Sequence, residues 1–186
     1  MVEATPEMAA YCFAVIVSKL KNEPTPRVPQ GIPNVPSPIF VTLKTLNGNL
    51  RGCIGNFSAE PLHDQLKNYA IAASFEDNRF PPVELSELPS LRCSVCLLHS
   101  FEKADNWKDW VIGVHGIKIR YKGYGATFLP SVMREEGWDH LQTLQHLLAK
   151  AGYRGEVTGS LLNQVEVTRY QESKASVEFA SLKLSI

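Results

Sequence analysis

The segment Leu50–Gly55 reads Leu-Arg-Gly-Cys-Ile-Gly and follows directly on the dipeptide Asn47-Gly48. This combination constrains the fold more than any other feature of the chain. An Asn-Gly pair between two runs of strand-forming residues is the strongest short-range signal of a β-hairpin. Glycine inside a strand marks a bulge or a place where another group approaches the main chain. We therefore expect a hairpin whose second strand carries a functional site.

A two-residue loop predicts the register of this hairpin. It places Thr42 opposite Cys53 and Lys44 opposite Arg51. Because side chains alternate along a strand, Arg51 and Cys53 then share the more polar face with Thr42 and Lys44. The pattern therefore predicts that the Cys53 thiol lies beside two cations.

The length and charge of the chain limit the classes of function. A chain of 186 residues with 44% hydrophobic residues is predicted to form one domain over residues 1–186. The 19 basic and 19 acidic residues leave no net charge, so no global attraction to phosphates drives nucleic-acid or membrane-surface binding. No apolar run approaches the roughly 20 residues that span a bilayer. We expect no membrane association and regard nucleic acid as a disfavoured partner.

The four cysteines are predicted to be reduced thiols, because no secretory signal precedes them. Cys93 and Cys96 have a C-x-x-C spacing, but they fall within a strand pattern over residues 91–99. Residues three apart in a strand point to opposite faces, so the two sulfurs cannot share a metal. The sequence therefore predicts no metal site and no cofactor. It also predicts an intracellular protein.

The other patterns predict helices mixed with strands, and hence an α+β fold. They indicate helices over residues 6–21, 61–75, near 131–137 and 139–150, strands over 91–99, 117–121, 126–129 and 164–168, and a proline-rich connection over 24–38. The tail from Gln171 shows only a weak pattern.

The turn after the second helix is a further candidate region. Two prolines follow Phe80 and end the helix, because neither can donate a main-chain hydrogen bond. This leaves Asp77 and Arg79 in a rigid turn, where they could orient each other or a ligand. An ion pair that locks the turn and a binding role both remain open.

Five ordered motifs resemble those of a known family, the AMME chromosomal region candidate gene 1 proteins, over about residues 20–170. They are Leu50–Gly55, Arg79–Pro82, Gly113–Gly116, Leu129-Pro130 and Glu136–Asp139. The resemblance implies an α+β fold with a mixed or mostly antiparallel sheet and flanking helices, sometimes described as a larger and a smaller lobe. The family has no established molecular activity. Its eukaryotic members are associated with the nucleus, so we expect a cytoplasmic or nuclear location.

One hypothesis for the function is a thiol-dependent enzyme that acts on a small molecule or a peptide. A neighbouring cation favours thiolate over thiol, which makes Cys53 a candidate nucleophile beside Arg51. Covalent catalysis also needs a base, and His115 is the candidate, with His140 in reserve. Main-chain amides near Gly52 could then stabilise an oxyanion.

The favoured hypothesis is a non-catalytic site that binds a protein partner or a small molecule. A groove beside the Leu50–Gly55 strand would supply shape and charge without using the sulfur chemically. The candidate binding residues are Arg51, Gly52, Gly55, Asp77, Arg79 and Phe80.

Overall fold

The computed structural model describes residues 1–184. The chain divides into two compact units. The first unit contains Met1–Leu98 and the segment from Ser173 onwards, and the second contains His99–Glu172. Both units combine helices with antiparallel strand pairs, which confirms the predicted α+β class.

The helices are α1 (Pro6–Leu20), α2 (Leu62–Ile71), α3 (Pro130–Glu136), α4 (His140–Lys150) and α5 (Gly159–Leu162). The strands are β1 (Pro36–Thr45), β2 (Leu50–Pro61), β3 (Leu91–Lys103), β4 (Gly116–Tyr121), β5 (Tyr124–Phe128) and β6 (Glu166–Glu178). A π-helical turn, Ala72–Glu76, continues α2, and 3₁₀ turns cover Leu85–Ser90 and Phe179–Ser181.

In the first unit the strands follow the order β2, β1, β3 and the C-terminal part of β6. Helix α1 begins as predicted, because Thr5 accepts a hydrogen bond from the amide of Met8 and Pro6 occupies the first turn. Helices α1 and α2 share a core with the inward-facing residues of β1 and β3. Its strand residues are Ile39, Val41, Leu43, Leu91, Cys93, Val95 and Leu97.

In the second unit β4 lies between β6 and β5. Helix α4 begins after Asp139, whose side chain accepts from the amide of Gln142 while the Gln142 side chain accepts from the amide of Asp139. The core contains Ile117, Ile119, Met133, Leu144, Leu147, Leu148 and Val167.

The hairpin register differs from the prediction at one point. Thr42 pairs with Cys53 as expected, but Lys44 pairs with Leu50 because a bulge leaves Arg51 without an opposite residue. The prediction that Lys44 faces Arg51 is therefore wrong. The loop also exceeds two residues, since the amide of Thr45 donates to the carbonyl of Asn49 at 2.8 Å. A longer loop with a bulge shifts the pairing by one residue on the loop side.

The C-terminal segment also differs from the prediction. Strand β6 runs through the weakly patterned tail and ends only at Glu178. Its regularity comes from pairing with neighbouring strands, which the alternation of its own residues does not reveal. The hydroxyl groups of Ser94 and Ser176, for example, are hydrogen-bonded at 2.8 Å.

Candidate functional site

Cys53 lies on β2, the strand at the edge of the first unit's sheet. Its side chain is half-buried, and its Sγ lies 3.1 Å from the Oγ1 of Thr42 on β1. Its main-chain amide donates to the carboxylate of Asp77 at 3.0 Å, and its carbonyl accepts from Arg79 at 3.4 Å. The Cys53 thiol therefore contacts the hydroxyl group of Thr42, whereas Asp77 and Arg79 contact the Cys53 main chain.

Gly52 is buried against the π-helical turn. A Cβ atom at this position would collide with the main-chain carbonyl of Ala73, which lies inside that turn. A main-chain atom cannot swing aside as the end of a flexible side chain can, so only glycine fits here. The contact between Gly52 and Ala73 therefore joins β2 to the π-helical turn that follows α2.

Asp77 is the buried acid of this region, with 4% of its side chain exposed. Its carboxylate accepts from the side chain of Arg79 at 2.8 Å and 3.0 Å, from the amide of Cys53, and from the amide of Arg79. The hydrogen bond from the Arg79 guanidinium, helped by the two amides, holds the pKa of Asp77 well below its usual range. Asp77 is therefore an ionised anchor that fixes both the β2 main chain and Arg79.

Arg79 is the exposed partner in this pair, with 55% of its side chain accessible. Its Nε and Nη2 groups donate to Asp77, and the guanidinium carbon lies 5.4 Å from the centre of the half-buried Phe80 ring. Within residues 1–184, the Nη1 group donates to no protein atom. The structure thus brings Asp77 and Arg79 to the main chain of Cys53, with the ring of Phe80 against Arg79.

Arg51 makes a different ion pair. Its Nε and Nη2 groups donate to the two carboxylate oxygens of Glu87 at 2.7 Å and 3.1 Å, and only 12% of the Arg51 side chain is exposed. Glu87 also accepts from the amide of Glu84, which closes the start of a 3₁₀ turn. Hydrogen bonding by Arg51 lowers the pKa of Glu87. The Arg51 side chain therefore ties β2 to this turn.

Gly55 lies beside two aromatic residues. A Cβ atom at Gly55 would collide with the ring of Phe40 and with the carbonyl of Ile39 on β1. The Phe40 ring packs edge-on against Phe57 with 5.1 Å between ring centres. Gly55 is therefore required for the ring of Phe40 to lie across β2.

His115 belongs to the second unit, whereas Cys53 belongs to the first. The Nδ1 atom of His115 accepts a hydrogen bond from the amide of Val111 at 2.9 Å. Burial, followed by the positive charge of Arg169, lowers the pKa of His115. In the neutral ring the second nitrogen, Nε2, then carries the hydrogen, so it is a donor rather than a base.

The other cysteines are buried, and all four cysteines are free thiols. A hydrogen bond with Cys93, followed by burial, raises the pKa of Cys12. Cys96 pairs with Phe40 across the strands, on the face opposite to that of Cys93. Over the described residues 1–184 there is no cluster of three or more histidine, cysteine, aspartate or glutamate residues placed to hold a metal ion.

Two elements of the site have little or no signal in the sequence. The spacing of Glu84 and Glu87 is that of a capping box and could have indicated the 3₁₀ turn, but nothing in it points to Arg51, which lies 36 positions earlier. The π-helical turn Ala72–Glu76 has a sequence that continues the helical pattern of α2. Its wider winding is therefore visible only in the structure.

These observations define an α+β protein with antiparallel strand pairs and a site built on a Leu-Arg-Gly-Cys-Ile-Gly strand. The model of the AMMECR1 family matches residues 9–175, and the chain belongs to that family. An uncharacterized protein of Arabidopsis thaliana is 40% identical over 97% of this chain and 88% of its own length. An uncharacterized protein of Schizosaccharomyces pombe is 38% identical over 89% of this chain and 88% of its own.

A solved structure shows the same fold. The crystal structure of an uncharacterized protein from Pyrococcus horikoshii matches with a TM-score of 0.77 and 25% identity. The match covers 95% of this chain and 92% of that chain. These comparisons confirm the family and the fold, and the relatives described here are themselves uncharacterized. Among the described residues, no helix is both long and apolar enough to cross a membrane.

Proposed function

We propose that the first unit binds, without catalysis, a small molecule or protein segment that carries a carboxylate. The site is the surface formed by Arg79, Phe80 and the strand Leu50–Gly55, here termed the Arg79 surface. One observation carries the proposal: the buried carboxylate of Asp77 holds Arg79, yet 55% of the arginine side chain is exposed. The expected partner is present in the cytoplasm or the nucleus.

The chemistry of Arg79 favours an anionic group, such as a carboxylate, over a neutral one. Hydrogen bonds between a guanidinium and a carboxylate are strengthened by the two opposite charges, and the Nη1 donors of Arg79 have no acceptor within residues 1–184. Because Asp77 already fixes the orientation of the group, binding loses little side-chain entropy. The ring of Phe80 beneath the guanidinium adds an apolar surface for the rest of the ligand.

The contacts of the two catalytic candidates support a role without catalysis. The thiol of Cys53 contacts the hydroxyl of Thr42, which has no basic character near neutral pH. The acceptor nitrogen of His115 is occupied by the amide of Val111. A nucleophile and a base each need a free lone pair aimed at the reacting atoms.

A thiol-dependent enzyme that uses Cys53 with His115 is the second candidate. One observation favours it: Cys53 is half-buried, while Cys12, Cys93 and Cys96 are each at most 5% exposed. A reactive thiol must reach its substrate, and Cys53 is the cysteine that meets this requirement.

The proposal is tested by titrating the ¹⁵N-labelled full chain with N-acetylglutamate amide. N-acetylglutamine amide, which has nearly the same shape without the charge, is the matched ligand. We expect the glutamate compound to shift the side-chain Nε resonance of Arg79 and the amide resonance of Phe80. The binding should weaken as salt is added, because a charged pair carries it.

The control for the binding residue is Arg120→Ala, which removes another exposed arginine, on β4. Arg79→Ala should abolish the shifts, whereas Arg120→Ala and Cys53→Ser should preserve them. Equal binding of the two ligands, or full binding by the Arg79→Ala variant, would contradict the proposed function.

A further inference from the structure

Strand β2 lies at the edge of the sheet in the first unit, and no strand pairs with its outer side among residues 1–184. The amide and the carbonyl of Cys53 both point toward this outer side, since they bond Asp77 and Arg79 rather than β1. The side chains of Asp77 and Arg79 therefore occupy the position that the main chain of a neighbouring strand would take beside Cys53.

The direction of the main-chain groups alternates along an antiparallel strand. The amide and the carbonyl of Cys53 bond Asp77 and Arg79, so its pair with Thr42 is one whose main-chain groups do not bond each other. By alternation, the main-chain groups of Ile54 face β1 and those of Gly55 point outward again. The N–H and C=O of Gly55 are therefore the next hydrogen-bonding groups along the outer edge. They follow directly on the Cys53 carbonyl, where the guanidinium of Arg79 lies.

We propose that the ligand of the Arg79 surface is an extended protein segment that adds to β2 as a further strand at Gly55. An acidic side chain of this segment contacts Arg79. The inference rests on the proposed function and specifies its partner. Charge complementarity selects the acidic residue, because Arg79 is exposed and holds Nη1 donors without an acceptor within residues 1–184.

Two further features fit an added strand. An unpaired edge offers a row of main-chain donors and acceptors that an extended peptide can complete. Asp77 and Arg79 already take the outward main-chain hydrogen bonds of Cys53, so the added strand ends before that residue.

The test uses a synthetic peptide with alternating valine and threonine residues around one aspartate, acetylated and amidated at its ends. Two further peptides carry a single N-methyl group on successive amides near the aspartate. N-methylation removes one hydrogen-bond donor and leaves the charge unchanged. In an added strand only every second amide faces β2, so we expect one isomer to lose about tenfold in affinity and the other to change less than about twofold.

A second readout is the exchange of the Gly55 amide with solvent deuterium. We expect bound peptide to slow this exchange, while the amide of Gly125 on β5 in the second unit keeps its rate. Equal effects of the two N-methyl isomers, or unchanged exchange at Gly55, would overturn strand addition.

The failures of the two proposals are distinguishable. If N-acetylglutamate amide shifts Arg79 but the aspartate peptide does not bind, strand addition is wrong and the proposed function stands. The proposed function is wrong if a peptide with asparagine in place of aspartate binds equally well. It is also wrong if the Arg79→Ala variant binds N-acetylglutamate amide and the aspartate peptide as tightly as wild type does. In that case strand addition directed by Arg79 is also wrong.

Discussion

The carboxylate of Asp77 accepts the main-chain amide hydrogen of Cys53 at 3.0 Å, although 24 positions separate the two residues. This bond joins the edge of β2 to the turn that follows the π-helical segment. Because the acceptor is an ionised carboxylate, the bond is stronger than one between neutral groups. The same carboxylate orients Arg79, so one buried acid sets the geometry of both the strand and the exposed cation.

Asp77→Asn should lower the free energy of unfolding by about 1–3 kcal/mol near neutral pH, because an amide cannot accept charge-assisted bonds from Arg79 and Cys53. Urea unfolding measures this difference. Asp64→Asn, at an exposed position in the first turn of α2, is the control and should cost no more than about 1 kcal/mol, since it removes only an interaction with the helix dipole.

The difference between wild type and Asp77→Asn should also depend on pH. Folding lowers the pKa of Asp77, so its contribution is present above the ordinary aspartate pKa of about 3.9 and is lost as the pH falls through the lower folded value. Unfolding curves should show a constant difference from about pH 7 to pH 5 and a shrinking one below about pH 4. A difference that grows in acid would contradict this assignment.

Gly52→Ala should destabilise the first unit by about 2–3 kcal/mol, because the added methyl group collides with the carbonyl of Ala73. Gly125→Ala is the matched strand control, since its Cβ would make only an ordinary contact at 3.5 Å. Thermal and urea unfolding of the two variants give the comparison. Similar unfolding midpoints for both variants would show that the Ala73 carbonyl can move aside for a methyl group, which would contradict this prediction.

Arg51→Ala and Arg79→Ala should differ in their effect on ligand binding. Arg51 is nearly buried and gives two bonds to Glu87, so its loss should cost about 1–2 kcal/mol of stability and leave carboxylate binding unchanged. Arg79→Ala should abolish binding of N-acetylglutamate amide. Unfolding and titration of both variants test this pattern, and Arg120→Ala should change neither quantity.

Iodoacetamide should alkylate Cys53 before the other cysteines of the folded protein, because Cys12, Cys93 and Cys96 are each at most 5% exposed. Mass spectrometry of timed digests separates the four sites. His115→Ala should leave the Cys53 rate unchanged if the site only binds. A marked fall in that rate in the variant would instead support the thiol-dependent enzyme.

Local sequence signals predicted the parts of the fold that depend on neighbouring residues. Thr5 and Asp139 act as helix caps, and Asn47-Gly48 forms the hairpin turn region, because turns and caps are decided within a few positions. The pairing of Thr42 with Cys53 followed from the same rules. The bulge at Arg51 did not, since it depends on the length that the loop adopts in the folded hairpin.

Long-range partners account for most of what the sequence left open in the site. Asp77 and Arg79 are two positions apart, and their pairing was an expected alternative. The bond from Cys53 to Asp77 and the pair between Arg51 and Glu87 join residues 24 and 36 positions apart. Such contacts depend on how the helices and strands pack, and residue type alone does not specify a partner at that distance.

The contact between Gly52 and Ala73 has a consequence for the alignment of the two hairpin strands. Sliding β2 by one position would bring the side chain of Arg51 or Cys53 against the Ala73 carbonyl, where no side chain fits. The π-helical turn therefore excludes a slip of one position in either direction, and a hairpin misaligned in this way cannot pack against the helical layer.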